Sequence, residues 1–181
     1  QLFKKDNLKF EGVSINSRSI KKNNIFIAIK GPKKDGHDYV TEAIKNKASF
    51  CVVSKIPKNI NQKKLIKCNN TMLFLKQLAN IKRSYSTAKI IAITGSNGKT
   101  TTKELMREVL SMKYKTFATH GNLNNHIGVP LSLLSVPEDC EMAIIEMGAN
   151  HQKEIASYCE YAMPNYGIIT NIGKAHLEGF G

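Results

Sequence analysis

The sequence predicts an α/β protein: a small amino-terminal α/β domain followed by the first part of a parallel-sheet domain of the phosphate-loop type. Two observations lead to this prediction. From residue 90 onward, short apolar runs alternate with amphipathic stretches, the pattern of a parallel sheet covered by helices on both faces. A glycine-rich loop at residues 95–99 lies between the first of these apolar runs and an amphipathic stretch that is typical of a helix. The amino-terminal end of a helix is a common binding site for anions.

The amino-terminal domain is assigned to residues 1–86. Short β-branched runs bounded by Gly and Pro indicate strands, and apolar residues three or four apart indicate helices. On these criteria we expect strands at residues 25–29 and 50–53, and helices at residues 39–47 and 70–85.

The central domain is assigned to residues 87–181. The same criteria predict strands at residues 90–93, 115–118, 142–145 and 166–169, and helices at residues 99–112, 127–134 and 153–161. The chain then ends in the glycine-rich segment 179–181 with no closing helix. We therefore expect the sequence to be a piece of a longer protein, with this domain incomplete at its carboxyl end.

Composition narrows the classes of function. The formal net charge is +13, but the only arginines are Arg18, Arg83 and Arg107, and the lysines are scattered without interleaved aromatics. Nucleic-acid readers favour arginine, so we expect an anionic substrate and no nucleic acid. No apolar run reaches the roughly 18 residues that span a bilayer, so we expect no membrane insertion. The first residues lack a signal-peptide pattern, and the four cysteines match no zinc or redox spacing, which favours the cytoplasm.

The segment T-G-S-N-G-K-T at residues 94–100 is a phosphate-binding loop between a strand and a helix. Its glycines let backbone amides approach a phosphate, and the helix start adds unpaired N–H groups. Lys99 can reach the β- and γ-phosphates, and the Thr100 hydroxyl can bind Mg²⁺. The general pattern has an additional glycine where this chain has Ile93, so the match is to a shorter variant. ATP is predicted to bind at Gly95, Ser96, Asn97, Gly98, Lys99, Thr100 and Thr101.

Three further groups of polar residues follow strands of the same sheet. Glu146 ends the strand at residues 142–145, so it is expected at the edge that carries the phosphate loop, sharing the metal with Thr100. His176 follows the last strand and ligates a second metal, contacts phosphate or serves as a structural hydrogen-bonding group. The asparagine-rich loop at residues 119–128 either caps the next helix or lines the site of a polar substrate.

Four segments in this order resemble the Mur ligase superfamily of ATP-dependent amide-bond-forming enzymes: TGSNGKTTTKE, GNLNNHIGVPLSLL, EMGANHQKEI and NIGKAHLEGFG. Residues 14–44 resemble the superfamily's UDP-binding amino-terminal domain, and the central domain is the one that binds ATP. The sequence departs from the family at Lys153, where a glycine is usual, and we expect little consequence.

The resemblance implies specific roles. Thr100 and Glu146 hold a first Mg²⁺ and His176 helps hold a second, while Lys99 and His176 act in catalysis. Substrate is implied near Ser17 and Arg18 on the uridine-diphosphate side and near Asn122, Asn124 and Asn125 on the muramoyl-peptide side.

The segments GANH and AHLEGFG are similar to those of members that join D-alanyl-D-alanine to UDP-N-acetylmuramoyl-tripeptide. The implied reaction passes through an acyl phosphate, in a monomeric cytoplasmic enzyme of peptidoglycan precursor synthesis. The family's carbamylated lysine and carboxyl-terminal domain belong beyond residue 181, so the 181-residue chain alone is expected to turn over little or nothing. Three alternatives remain open: another ligase of the superfamily (diamino-acid-adding or folylpolyglutamate type), a non-catalytic nucleotide- or UDP-sugar-binding module, and a phosphotransferase.

Overall fold

A computed structural model describes residues 10–58 and 60–173 of the chain. The chain divides into two compact units, Gln1–Leu75 and Lys76–Gly181, and the division falls within one long helix. The mixed α/β class with parallel sheets confirms the prediction made from the alternation of apolar runs. No helix among the described residues is long and apolar enough to cross a membrane.

The first unit is built on a four-stranded parallel sheet in the order β1-β2-β3-β4. Its helix α1 (Val40–Lys45) follows a short 3₁₀ turn and covers one face, and α2 (Thr71–Tyr85) begins after the last strand. Apolar residues of α1 and the central strands form its core. The strands are β1 (Gly12–Ser14), β2 (Asn24–Ile27), β3 (Phe50–Val53) and β4 (Leu65–Lys67).

The two edge strands of this sheet, β1 and β4, were not predicted from the sequence. Each has only three residues, and neither is buried along its whole length. A run this short carries no measurable period-two pattern, and only pairing with the buried central strands defines it as a strand.

A buried histidine fixes the loop that follows β2. His37 is 6% exposed, and its Nδ1 lies 2.6 Å from the Asp35 carboxylate. Its Nε2 accepts the backbone N–H of Ser54 at 2.9 Å, so the ring proton is assigned to Nδ1 and donated to Asp35. A hydrogen bond from Lys55, assisted by the backbone N–H of His37, holds the pKa of the Asp35 carboxyl well below its usual value.

This carboxylate makes stability depend on acid pH. Because its folded-state pKa is lowered, Asp35 contributes stability above its unfolded-state value of about 3.9, and the contribution is lost as pH falls below that value. We expect Asp35→Asn to destabilise the chain at pH 7 and to reduce the loss of stability between about pH 5 and pH 3. Urea unfolding across this range measures both effects. Asp38→Asn, which removes an exposed neighbouring carboxylate, is the control, and equal slopes for the two variants contradict the assignment.

The second unit contains a parallel sheet in the order β6-β7-β5-β8. The glycine-rich loop connects β5 to α3, and the asparagine-rich loop connects β6 to α4. The strands are β5 (Lys89–Thr94), β6 (Thr116–Ala118), β7 (Met142–Glu146) and β8 (Tyr166–Ile169), and the helices are α3 (Lys99–Ser111), α4 (Gly128–Leu134) and α5 (Glu154–Ala162). Each lies within two residues of its predicted position.

Apolar side chains cover both faces of this sheet. One cluster packs α4, α5 and the end of α2 against Ile90, Ala143 and Ile145, and the other packs α3 against Ile91 and Ile144. Burial on both faces explains why β5 and β7 are continuous apolar runs.

One buried hydroxyl in the first of these clusters lacks a hydrogen bond. Tyr161 is 6% exposed, and its hydroxyl has no partner among the described residues. Burial raises the pKa of this phenol, so it stays neutral. Burying a hydroxyl without a hydrogen bond destabilises the folded state, whereas burying the apolar ring does not.

Removing that hydroxyl should therefore stabilise the protein. We expect Tyr161→Phe to increase the free energy of unfolding by about 1 kcal/mol, because the ring packing is kept and the unpaired polar group is lost. Thermal and urea denaturation measure the change. Tyr85→Phe serves as the control, since Tyr85 is 84% exposed and its hydroxyl is solvated. A loss of stability in Tyr161→Phe would show that the hydroxyl has a partner in solution.

Candidate functional site

The register of the second sheet brings three strand ends together. In the β5–β7 pair Ile93 lies beside Glu146, and in the β5–β8 pair Thr94 lies beside Ile169. The phosphate loop, residues 95–101, starts where β5 ends. Glu146 is therefore at the same edge of the sheet as Lys99, as expected for the carboxyl ends of parallel strands.

The phosphate loop has the backbone conformation that its glycines permit. Gly95 has φ 137° and Gly98 has φ 78°, both in the region that L-residues rarely adopt. Gly98 precedes α3 without any side-chain cap, and the first turn of α3 has no acidic residue. The N–H groups at this helix start are therefore left for an anion. The Lys99 ammonium folds back over the loop and donates to the Gly95 carbonyl at 2.6 Å.

The segment that follows β8 holds the loop in place. Residues 170–173, which follow β8, bond to the loop along its length. Asn171 accepts the backbone N–H of Asn97 at 2.9 Å through its side chain and that of Ser96 at 3.2 Å through its carbonyl. The Thr170 hydroxyl donates to the Asn97 carbonyl at 2.5 Å. From the sequence, a role in the segment after β8 was predicted for His176 and none for Asn171, although the position of Asn171 directly after a strand of the same sheet was the available signal.

Thr100 and Glu146 meet behind the loop. The Thr100 hydroxyl lies 3.2 and 3.1 Å from the two carboxylate oxygens of Glu146. Glu146 is 1% exposed, and its backbone N–H donates to the Thr119 hydroxyl at 3.1 Å. The carboxylate therefore points from the end of β7 towards the start of α3 and is fixed there.

Two further side chains reach the Glu146 carboxylate. Asn124 donates from its amide nitrogen at 2.8 Å, and the Lys103 ammonium lies 3.6 Å away. Lys103 is completely buried and was not identified from the sequence. Its spacing of four residues from Lys99 on a predicted helix placed both lysines on one helical face, which was a usable signal.

The asparagine-rich loop caps the next helix, one of the two roles considered from its sequence, and also reaches the Glu146 carboxylate. Asn125 accepts the backbone N–H groups of Ile127 and Gly128 at 3.1 and 2.8 Å, so it caps the start of α4. Asn124 instead turns to Glu146, and its own carbonyl accepts the N–H of Gly148 at 2.7 Å. A Cβ at Gly148 would lie 3.1 Å from the Asn124 side chain, so the glycine leaves room for this approach.

These residues border a cleft of about 480 Å³. Its walls are formed by parts of the phosphate loop, the asparagine-rich loop, the segment after β7 and the segment after β8. Six of the predicted site residues line it: Gly95, Ser96, Lys99, Asn122, Asn124 and Asn125. The cleft is thus polar on the loop side and large enough for part of a nucleotide.

The donors beside the loop fit magnesium. The Thr100 hydroxyl and the Glu146 carboxylate offer oxygen atoms, the kind of ligand that Mg²⁺ prefers. Among the described residues no group of three or more His, Cys, Asp and Glu side chains could hold a metal by itself. Magnesium there would take its remaining ligands from water and phosphate, which is its usual behaviour at nucleotide sites.

The remaining predicted residues belong to the first unit or fall outside the described residues. Ser17 and Arg18 belong to the first unit, where the Ser17 hydroxyl donates to Glu42 at 2.6 Å. The Arg18 side chain is 82% exposed, and its Nε lies 3.9 Å from the Glu42 carboxylate. His176 lies outside the described residues.

Lys153 occupies a position suited to glycine. It precedes α5 with φ 65°, in the left-handed region, where a residue with a Cβ costs about 1 kcal/mol. The next residue, Glu154, accepts the N–H groups of Asn150 and His151 at 2.7 and 3.1 Å. Burial alone raises its pKa, but these bonds outweigh burial and lower it. The segment before α5 thus keeps its shape despite the strain at Lys153.

Gly95 offers a direct test of the loop geometry. A Cβ at this position would lie 2.1 Å from the Thr170 hydroxyl and 3.0 Å from the Asn171 backbone. We expect Gly95→Ala to force the loop away from residues 170–173 and to weaken Mg-ADP binding tenfold or more. A tenfold change in Kd corresponds to about 1.4 kcal/mol of binding free energy. Isothermal titration calorimetry of the complete protein measures the affinity. Gly167→Ala, where a Cβ meets nothing within 4 Å, is the matched control and should bind as the unaltered protein does.

Both parts of the chain are similar to known proteins. Residues 9–83 match the Mur ligase family catalytic domain, and residues 93–181 match the Mur ligase middle domain. The UDP-N-acetylmuramoyl-tripeptide–D-alanyl-D-alanine ligase of Rickettsia prowazekii is 44% identical over 168 residues, which cover 93% of this chain and 37% of that protein.

Two solved structures share the fold. MurF from Acinetobacter baumannii has a TM-score of 0.85 at 36% identity, covering 95% of this chain and 37% of that one. The MurF ligase of Thermotoga maritima in complex with ADP has a TM-score of 0.83 at 34% identity, covering 96% and 40%. The chain therefore spans a little over a third of the length of these proteins. The successive domain matches, the shared fold and the phosphate loop together establish that this chain belongs to the Mur ligase family.

Proposed function

We propose that the complete protein joins D-alanyl-D-alanine to UDP-N-acetylmuramoyl-tripeptide at the expense of ATP, in the cytoplasmic synthesis of peptidoglycan precursors. The observation that carries the proposal is the contact between the Thr100 hydroxyl and the buried Glu146 carboxylate directly behind the phosphate loop. The names of the similar ligases support the choice of substrates. We infer that the protein acts as a monomer.

The first step is the attack of the tripeptide carboxylate on the γ-phosphate, which releases ADP and forms an acyl phosphate. The chain contributes positioning and positive charge. Backbone N–H groups at the start of α3 bind the phosphates, and the Lys99 ammonium turns from its loop carbonyls to the phosphate oxygens. Thr100 and Glu146 would hold magnesium, which would offset the negative charge on the transferred phosphoryl group.

In the second step the amine of D-alanyl-D-alanine attacks the acyl carbon, loses a proton and displaces phosphate. The acyl phosphate has to be kept from water until the amine arrives. The cleft is lined on one side by Asn122, Asn124 and Asn125, and we assign the muramoyl-peptide to that side because carboxamides donate to and accept from peptide groups. For Asn125 only the amide nitrogen is available, since its oxygen caps α4. Ser17 and Arg18 are assigned to the uridine diphosphate and His176 to a second magnesium.

The reaction is tested by phosphate release from the complete protein with UDP-N-acetylmuramoyl-tripeptide and ATP. We expect release to depend on D-alanyl-D-alanine. Lys99→Ala and Glu146→Gln should each lower kcat about a hundredfold or more, because each removes a charge that acts on the transferred group. Glu108→Gln, an exposed carboxylate on the outer side of α3, is the matched control and should retain full rate.

Other outcomes separate the alternatives. Release driven by a diamino acid or by glutamate, with D-alanyl-D-alanine inactive, identifies another ligase of the family. Binding of Mg-ADP without turnover under any amine identifies a binding module. The 181-residue chain alone is expected to bind nucleotide and to release little phosphate.

A further inference from the structure

Lys103 is an ionisable side chain that the proposed reaction does not use. It is fully buried on α3, one turn after Lys99. Its ammonium donates to the Thr119 carbonyl at 2.8 Å and lies 3.4 Å from the Gly121 carbonyl. A buried ammonium is costly unless it is paired and hydrogen-bonded, and these two carbonyls meet part of that need.

Two carboxylates share this ammonium. Glu104 lies 3.1 Å away at the half-exposed surface, and Glu146 lies 3.6 Å away in the interior. The hydrogen bond from Lys103 is the main reason that the pKa of Glu104 lies below its usual value. The negative charge of Glu146 is therefore partly balanced before any ligand arrives.

The positive charge of Lys103 beside Glu146 opposes the binding of a cation to that carboxylate. Magnesium held by Thr100 and Glu146 lies on the carboxylate that Lys103 already neutralises, and two positive charges in a buried site repel each other strongly. The phosphates of a nucleotide supply the negative charge that removes this opposition.

We infer that Lys103 is a positioning residue that keeps the Thr100–Glu146 pair from binding magnesium alone, so that the metal is bound tightly only together with nucleotide phosphates. The inference rests on the proposed role of that pair. It assigns to the buried lysine a coupling between metal and nucleotide binding, and it explains why the carboxylate has a cation as neighbour.

The test is a titration of the complete protein with MgCl₂ alone, without nucleotide, by calorimetry, with MnCl₂ followed by electron paramagnetic resonance as a second probe. Lys103→Met keeps the length of the side chain and removes its charge. We expect the affinity for the metal alone to rise about tenfold or more, because a nearby like charge is removed. A residue that only supports the fold gives the opposite result, since loosening the site lowers metal affinity.

Controls isolate the Glu146 site. Glu146→Gln gives the background from any other metal site. Arg107→Met removes one positive charge from the same helix at a residue that pairs with Glu104 and Glu108, and it should change the affinity less than twofold. If Lys103→Met does not fold, Lys103→Gln, which keeps a donor for the Thr119 carbonyl, is titrated in its place.

The outcomes separate this inference from the proposed function. Unchanged or weaker binding of metal alone in the Lys103 variants overturns the inference while leaving the site intact. If Glu146→Gln binds Mg-ADP as tightly as the unaltered protein and retains full ligation rate, the role of Glu146 itself fails, and the inference fails with it.

Discussion

The buried carboxylate of Glu146 is the constraint on which the central unit depends. A charge that is 1% exposed must be compensated, and here a hydroxyl and an ammonium of α3 and a carboxamide of the asparagine-rich loop compensate it. Helix α3, the asparagine-rich loop and strand β7 are thereby fixed relative to one another. Because each partner also borders the phosphate loop or follows it, the same interactions that neutralise the charge assemble the site.

The phosphate loop is similarly defined by residues far from it in sequence. Its glycines permit its shape, but residues 170–173 impose that shape through hydrogen bonds to Ser96 and Asn97. A loop held from outside pays little conformational entropy when it binds phosphate, which is the general advantage of a preorganised site. The end of β8 is thus as much a part of the site as the loop.

Single residues of this site both support the structure and line the cleft. Asn124 and Asn125 are adjacent and chemically identical, yet one bonds to the buried carboxylate and the other caps a helix. Both still line the cleft. Side chains that form a structural hydrogen bond through one atom and line a cleft with another are expected where several loops meet at the end of a sheet.

The sequence by itself determined the fold class, the order of the longer elements and the edge of the sheet at which Lys99, Thr100 and Glu146 gather. It could do so because periodicity is a local property and because parallel strands present their carboxyl ends on one side. Tertiary structure alone decided the short strands β1 and β4, the hold of Asn171 on the loop and the burial of Lys103. Those features come from contacts between segments 16 to 74 residues apart or from three-residue pairings, and no local pattern encodes the partner of a single side chain.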